Sequence, residues 1–167
     1  MPIGFDEGAT LSSDRLYRYR LWRSWGSREH RVVFVMLNPS TADESKDDPT
    51  IRKCVGFAQR WGFGAVDVVN LFAWRSTSPR GLLVSSDPIG PDNDEALRAA
   101  MSDATRIIWA WGKHTPRVAA LACRRAADGC LTRTRGTPVF TLGRNADGSP
   151  PHPLMLPYDR RLEPVIL

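Results

Sequence analysis

Three short polar groups in this sequence carry residue types suited to hydrogen-bonding the edge of a base or holding a water. The first is Asn38-Pro39-Ser40-Thr41-Ala42-Asp43, which follows the apolar run Val32-Val33-Phe34-Val35-Met36-Leu37 directly. The second is Asn70, within Val68-Val69-Asn70-Leu71-Phe72, and the third is Pro151-His152-Pro153-Leu154. A primary amide offers donors and an acceptor together, which suits the edge of a base or the placing of a water. A histidine between two prolines stands on a stiff backbone, and stiffness is what a catalytic group needs. Trp74-Arg75 sets an aromatic ring beside a guanidinium, a pair able to stack on a base or grip a phosphate. Plainer roles stay open for the same residues. Ser40 or Thr41 can cap a turn, Asn70 can bond a neighbouring backbone group, and His152 can be a surface loop histidine. Asp47 and Asp48 read as helix caps, and Trp109 and Trp111 as packing residues.

The elements that must position these groups follow from periodicity. The run 32–37 is apolar and rich in β-branched residues, so it reads as a strand buried on both faces of a parallel sheet. Residues 16–22 alternate, with Tyr17, Tyr19 and Leu21 on one face and Arg18, Arg20 and Trp22 on the other, which is strand patterning. Pro49 suits the first position of a helix, Ile51, Cys54, Val55, Ala58 and Trp61 share its apolar face, and Gly62 ends it. Residues 65–72 read as a second buried strand, 106–111 as a third and 137–142 as a fourth, with helices starting near Asp92-Asn93 and at Pro116. Residues 73–92 hold Pro79, Gly81, Pro88, Gly90 and Pro91 and read as a long irregular connection, a length that is often functional. Strands alternating with helices imply right-handed crossovers. The expected fold is therefore an α/β, three-layer α/β/α sandwich with a central, mainly parallel four-stranded sheet and an extra N-terminal strand. Residues 1–14 are expected as a flexible arm and 15–167 as a single α/β domain. Ligands in open α/β sheets bind beyond the carboxyl ends of the strands, which is where 38–43 would lie.

Composition narrows the class. With 167 residues, 42% hydrophobic and 25% charged, the chain has the make-up of a globular domain with a real core. No stretch approaches the roughly 20 apolar residues of a membrane span. The three cysteines, Cys54, Cys123 and Cys130, form no CxxC pair, so neither a disulfide framework nor a closed zinc site is expected. Residues 1–13 lack the basic-then-apolar layout of a secretory leader, and the expected setting is cytoplasmic. Net charge is +5, and only three of the 23 basic residues are lysines. Arginine suits bidentate phosphate contacts and stacking on bases, although a GC-rich coding sequence favours arginine everywhere.

Several motifs match a known family. Met36-Leu37-Asn38-Pro39-Ser40-Thr41-Ala42-Asp43, Asp48-Pro49-Thr50-Ile51-Arg52, Trp61-Gly62, Asn70-Leu71-Phe72-Ala73, Asp87-Pro88-Ile89-Gly90, Trp111-Gly112 and His152-Pro153-Leu154 identify the chain as a member of the domain-of-unknown-function 1643 family, over about residues 15–160. A more distant resemblance is to the uracil-DNA glycosylase superfamily. Leu37-Asn38-Pro39-Ser40 resembles its first motif, Gly-Ile-Asn-Pro-Gly or Gly-Gln-Asp-Pro-Tyr-His. Val68-Val69-Asn70 is similar to the strand whose asparagine reads the base, and His152-Pro153-Leu154 to the His-Pro-Ser-Pro loop. Three departures stand out. Met36-Leu37 replaces a glycine-containing lead-in, Asn38 stands where many members carry an aspartate, and Leu154 replaces a serine.

The resemblance implies a glycosylase-like N-glycosidic bond hydrolase acting on a flipped or free base. Its catalytic residues would be Asn38, positioning water, His152, stabilising charge on the base, and Asp43, as electrostatic helper. Pro39, Ser40, Thr41, Asn70, Phe72, Trp74 and Arg75 would line the substrate site. The scheme needs neither metal nor redox cofactor. Its partner is nucleic acid, DNA before RNA, or a nucleotide, with no membrane involved; the oligomeric state stays open, and a monomer is compatible. Two other readings remain. One is a non-catalytic nucleic-acid or nucleotide-binding module on the same fold, favoured by an amide at position 38. The other is a different hydrolase or transferase with Asp43 or Asp48 as base or metal ligand.

Overall fold

The computed structural model describes residues 5–132 and 134–167. It is a mixed α/β protein with one seven-stranded sheet in the order β1-β2-β4-β3-β5-β6-β7 and four helices. The strands are β1 (Asp6–Leu11), β2 (Arg18–Ser24), β3 (Arg31–Met36), β4 (Ala65–Asn70), β5 (Arg106–Trp109), β6 (Val139–Thr141) and β7 (Glu163–Pro164). The helices are α1 (Pro49–Arg60), α2 (Gly81–Val84), α3 (Asn93–Asp103) and α4 (Pro116–Ala127). Strands β4, β3, β5 and β6 run parallel, and β2 and β7 flank them antiparallel.

β3 and β4 are buried along their whole lengths, as their largely apolar character favours, with Arg31 in β3 and Asp67 and Asn70 in β4 as the polar exceptions. Side chains alternate across the sheet. Val33 and Val35 pack in one cluster with Leu97, Met101 and Val118 from α3 and α4. Val32, Phe34 and Met36 pack in the other with Ile51, Cys54 and Phe57 from α1. Helix α1 begins where Asp48 caps it, Oδ1 accepting the Ile51 N–H at 2.9 Å, with Pro49 in the first turn. Gly62, at φ +81°, turns the chain out of the helix in a conformation that favours glycine.

The sheet is wider than the sequence suggests. Residues 1–14 are expected as a loose arm, yet Asp6–Leu11 pairs antiparallel with β2. Gly8 lies opposite Trp22, and a Cβ at Gly8 would sit 2.2 Å from Trp22 Cζ2, so the missing side chain lets the indole cover the strand. Residues 1–4 lie outside the described residues. At the other edge, Glu163–Pro164 adds a short strand against β6, a position that tolerates a proline. The connection 73–92 also contains a helix, Gly81–Val84, too short to show a period. All three cysteines are free, Cys54 in the core. No helix among the described residues is long and apolar enough to cross a membrane.

If β1 is part of the sheet, filling Gly8 must displace the Trp22 ring. Gly8→Val is expected to destabilise the protein by about 1–3 kcal/mol in urea unfolding. An unchanged midpoint would return 6–11 to the status of an arm.

Candidate functional site

The parallel ladder places Met36 opposite Asn70, so β3 and β4 end level with each other. The pairing continues past the strands, with the Leu71 N–H donating to Met36 O (2.9 Å) and the Phe72 N–H to Leu37 O (3.0 Å). A cavity of about 150 Å³ opens at this carboxyl edge. Asn38, Pro39, Ser40, Asn70 and His152, which lie far apart in sequence, all line it. So do Arg18, Asp48 and His114.

Each wall is held by specific contacts. Asn38 spends its amide Nδ2 on Ser76 O (3.0 Å) and Pro39 O (3.2 Å), which leaves Oδ1 as an acceptor. The Ser76 N–H donates to Pro39 O at 2.9 Å and laces the 38–40 loop to the long connection. The end of β4 is pinned by two buried polar side chains. Asn93 Nδ2 donates to Asn70 O and Leu71 O (3.0 and 3.1 Å), and Arg125 Nε donates to Leu71 O (2.8 Å). The Asn70 side chain is 1% exposed, and its Nδ2 has no hydrogen-bond partner. Asn70 Nδ2 is one of several buried polar atoms without a partner among the described residues, and one of two, with Arg18 Nε, on residues lining the cavity.

His152 reaches the cavity because of Gly112, just beyond β5. The Gly112 N–H donates to Pro150 O (2.9 Å) and draws that segment against the sheet edge. Gly112 has φ +82°, and a Cβ there would meet His152 Cβ at 3.0 Å. The Leu154 N–H donates to His152 Nδ1 at 3.1 Å, which puts the proton of the neutral ring on Nε2. Burial, with a smaller contribution from His114, pushes the His152 pKa down to about 4, against the opposing pull of Asp48. His152 is therefore a neutral hydrogen-bond donor at physiological pH. His114 is oriented by Trp111 O, 2.5 Å from its Nε2.

Five of the residues expected at the site lie outside the cavity lining. Asp43 closes its own loop, with Oδ1 accepting from the Ser45 and Lys46 N–H groups (3.0 and 2.8 Å); these bonds lower its pKa. Thr41 is exposed and Phe72 is buried in the core. Trp74 packs edge-on to Tyr17, ring centroids 5.5 Å apart. Arg75 donates to backbone carbonyls, Nη1 to Arg15 O (3.2 Å) and Nε to Ser40 O (3.4 Å).

Sequence reasoning missed Arg18 and His114. Period-two alternation put Arg18 on one face of β2 without saying what covers that face. His114 follows the third predicted strand directly, so the rule that ligands bind at carboxyl ends was a usable signal. Asp48 is the expected cap and also a wall of the cavity. Trp111 lines the cavity as well as packing in the core. No group of three or more His, Cys, Asp or Glu among the described residues is placed to hold a metal.

Fold and site together define an α/β protein with a ring-sized, mostly apolar cavity at the carboxyl edge of its parallel strands, into whose lining a few polar side chains are set. The chain belongs to the protein family of unknown function DUF1643, whose model matches residues 18–154. No curated protein and no solved structure matches it.

Between about pH 6.5 and 4 the unfolded chain takes up a proton at His152 that the folded chain refuses. Stability therefore falls as pH drops through that window, by on the order of 2–3 kcal/mol from this group. Urea unfolding of wild type and His152→Gln at the two ends of the window isolates the contribution. Equal pH dependence in both proteins would place the imidazole in solvent.

Proposed function

We propose that this protein is a base-processing enzyme, a glycosylase-like hydrolase of N-glycosidic bonds in nucleic acid, DNA before RNA, or in a nucleotide. In this reading the fold is the three-layer arrangement of the uracil-DNA glycosylase superfamily, and the setting is cytoplasmic. The observation that carries the reading is the convergence of Asn38, Asn70 and His152 on one cavity of about 150 Å³. A cavity of that volume admits a single six-membered ring. A base in a duplex must leave the stack to enter it.

The unpartnered Nδ2 of Asn70 supplies a donor to a carbonyl on the ring edge. His152 donates its Nε2–H to a second base oxygen, where negative charge grows as the bond to the sugar breaks. Asn38 Oδ1 orients the attacking water. An amide does not accept the water's proton, and Asp43 stands outside the cavity lining. Asp48 lines the cavity and caps α1 through Oδ1 alone, so its second oxygen is a candidate general base. This moves the acidic role from position 43 to position 48.

The binding-module reading draws support from Asn38, whose amide is committed to two carbonyls. The two readings part in a strand-cleavage assay after alkali. The labelled oligonucleotides would be single- and double-stranded and carry uracil, G·T and G·U mismatches, hypoxanthine, hydroxymethyluracil or alkylated bases. Cleavage at one base is expected, and Asp48→Asn and His152→Ala are each expected to lower it about 10²–10⁴-fold. Asparagine is as good a helix cap as aspartate, so Asp48→Asn keeps α1 intact. Salt-sensitive retention of the strands without any product would establish the binding module.

A further inference from the structure

The chain that leaves His152 is held down on α1. Leu156, Tyr158 and Leu162 pack against the cluster that contains Ile51, Cys54 and Phe57. Tyr158 is the centre of that contact. Its ring lies edge-on to Phe57, with centroids 5.1 Å apart. Lys53 Nζ stands 4.0 Å and Arg60 Cζ 3.7 Å from the same ring. Arg60 Nη1 also donates to Gly56 O at 3.2 Å, which fixes the guanidinium beside the ring. The tyrosine comes this close because position 56 is glycine, where a Cβ would sit 2.5 Å from Tyr158 Oη. A glycine inside a helix is less favourable than alanine, and the approach of the tyrosine accounts for this one. Past the clamp, Arg160 Nε donates to Leu142 O at 2.8 Å and Glu163–Pro164 pairs with β6. On the other side of His152, the Gly112 N–H holds Pro150 O. His152 thus lies in a span tied at Pro150 and at Tyr158. The helix that seats Tyr158 starts at the cavity wall, where Asp48 caps it.

We propose that Tyr158 is the positioning residue of His152: by seating on α1 at Gly56 it holds the imidazole at the cavity wall, in a fixed place relative to Asp48 at the head of the same helix. Tyr158 does not line the cavity, so its effect passes through the chain. The inference rests on the glycosidic reading only for what His152 does there, namely donate its Nε2–H. A site that is about 1 Å too loose loses much of its effect, which is why the support of such a group matters. The charged and titratable groups that share the cavity with His152 are Arg18 from β2, Asp48 at the head of α1 and His114 beyond β5. With the span tied down, burial outweighs the pull of Asp48 and His152 titrates near pH 4. A span released from α1 lets water reach the imidazole, and its pKa moves up toward 6.5.

An NMR titration of the whole protein, labelled at its three histidines and assigned with His152→Gln, tests this. Wild type and Tyr158→Phe, which keeps the ring, are expected to titrate alike at His152, near pH 4. Tyr158→Ala and Gly56→Ala are each expected to raise that value by at least one pH unit. His30, which precedes β3 at its end away from the cavity, is expected to stay as it is. Alanine favours the helix, so a shift in Gly56→Ala comes from the unseated ring and not from a weakened α1. A value still near 4 in folded Tyr158→Ala overturns the proposal, and if that variant does not fold, the same value in Gly56→Ala does so. A shift in Tyr158→Phe as large as in Tyr158→Ala overturns it too, by assigning the effect to the hydroxyl. An equal rise at His30 overturns it by marking a general loosening. No substrate enters the titration. An oligonucleotide panel without cleavage therefore removes the hydrolase and leaves the clamp, whereas cleavage beside an unmoved His152 removes the clamp and leaves the hydrolase.

Discussion

The site depends on the parallel pairing of β3 with β4, in which Met36 lies opposite Asn70. Both strands are buried along their entire lengths, so neither has a wet face to absorb a slip. A shift of one residue would turn Val33, Val35 and Val69 out of one cluster and into the other, where α1 already fills the space. The hydrophobic register therefore also sets the polar one. It brings the loop starting at Asn38 level with Asn70, and both residues line one cavity of about 150 Å³.

Around that gap, backbone order is maintained by buried polar side chains. Asn93 and Arg125 hold the carbonyls at the end of β4, and Asn38 holds those of Pro39 and Ser76. Loops at a sheet edge lack the regular ladder that satisfies strand carbonyls, so side chains take over that task. Each such bond adds modest net stability, but leaving a buried partner unmet costs about 1–3 kcal/mol. The penalty fixes the loop geometry more sharply than the gain does. The contrast with Asn70 Nδ2 and Arg18 Nε is informative, because these two unmet donors belong to residues lining the same cavity.

Charge is handled differently at the two ends of the sheet. Asp67, in the middle of β4 and fully buried, is flanked by Arg20 and Arg31, and burial still raises its pKa. That network pairs its charges, although Asp67 Oδ1 and Arg31 Nε have no hydrogen-bond partner. At the carboxyl edge Arg18 has no carboxylate within 4.0 Å among the described residues, Asp48 shares its cavity, and His152 is kept neutral.

Much of this was legible in the sequence. The apolar runs at 32–37 and 65–72 read as buried strands because few polar residues break their faces, only Asp67 and Asn70 doing so, and Pro49 and Gly62 marked the limits of α1. The motifs at Asn38, Asn70 and His152 were legible as candidates for chemistry from their residue types, with structural roles open beside them. The edge strands were not legible, since Asp6–Leu11 and Glu163–Pro164 draw their order from neighbours rather than from a pattern of their own. Asp43 and Asp48 were equivalent as residue types. Only the packed chain separates them, folding one carboxylate back on its own loop and setting the other at the cavity wall. Arg18 was one arginine among many, and alternation says which residues share a face but not whether that face meets water, a helix or a void. The sequence by itself determined the order of elements and the residue types at their ends, because these follow from local periodicity and backbone preference. Tertiary structure alone decided which side chains share the cavity and which charge goes unpaired, because both depend on long-range contacts that no local pattern encodes.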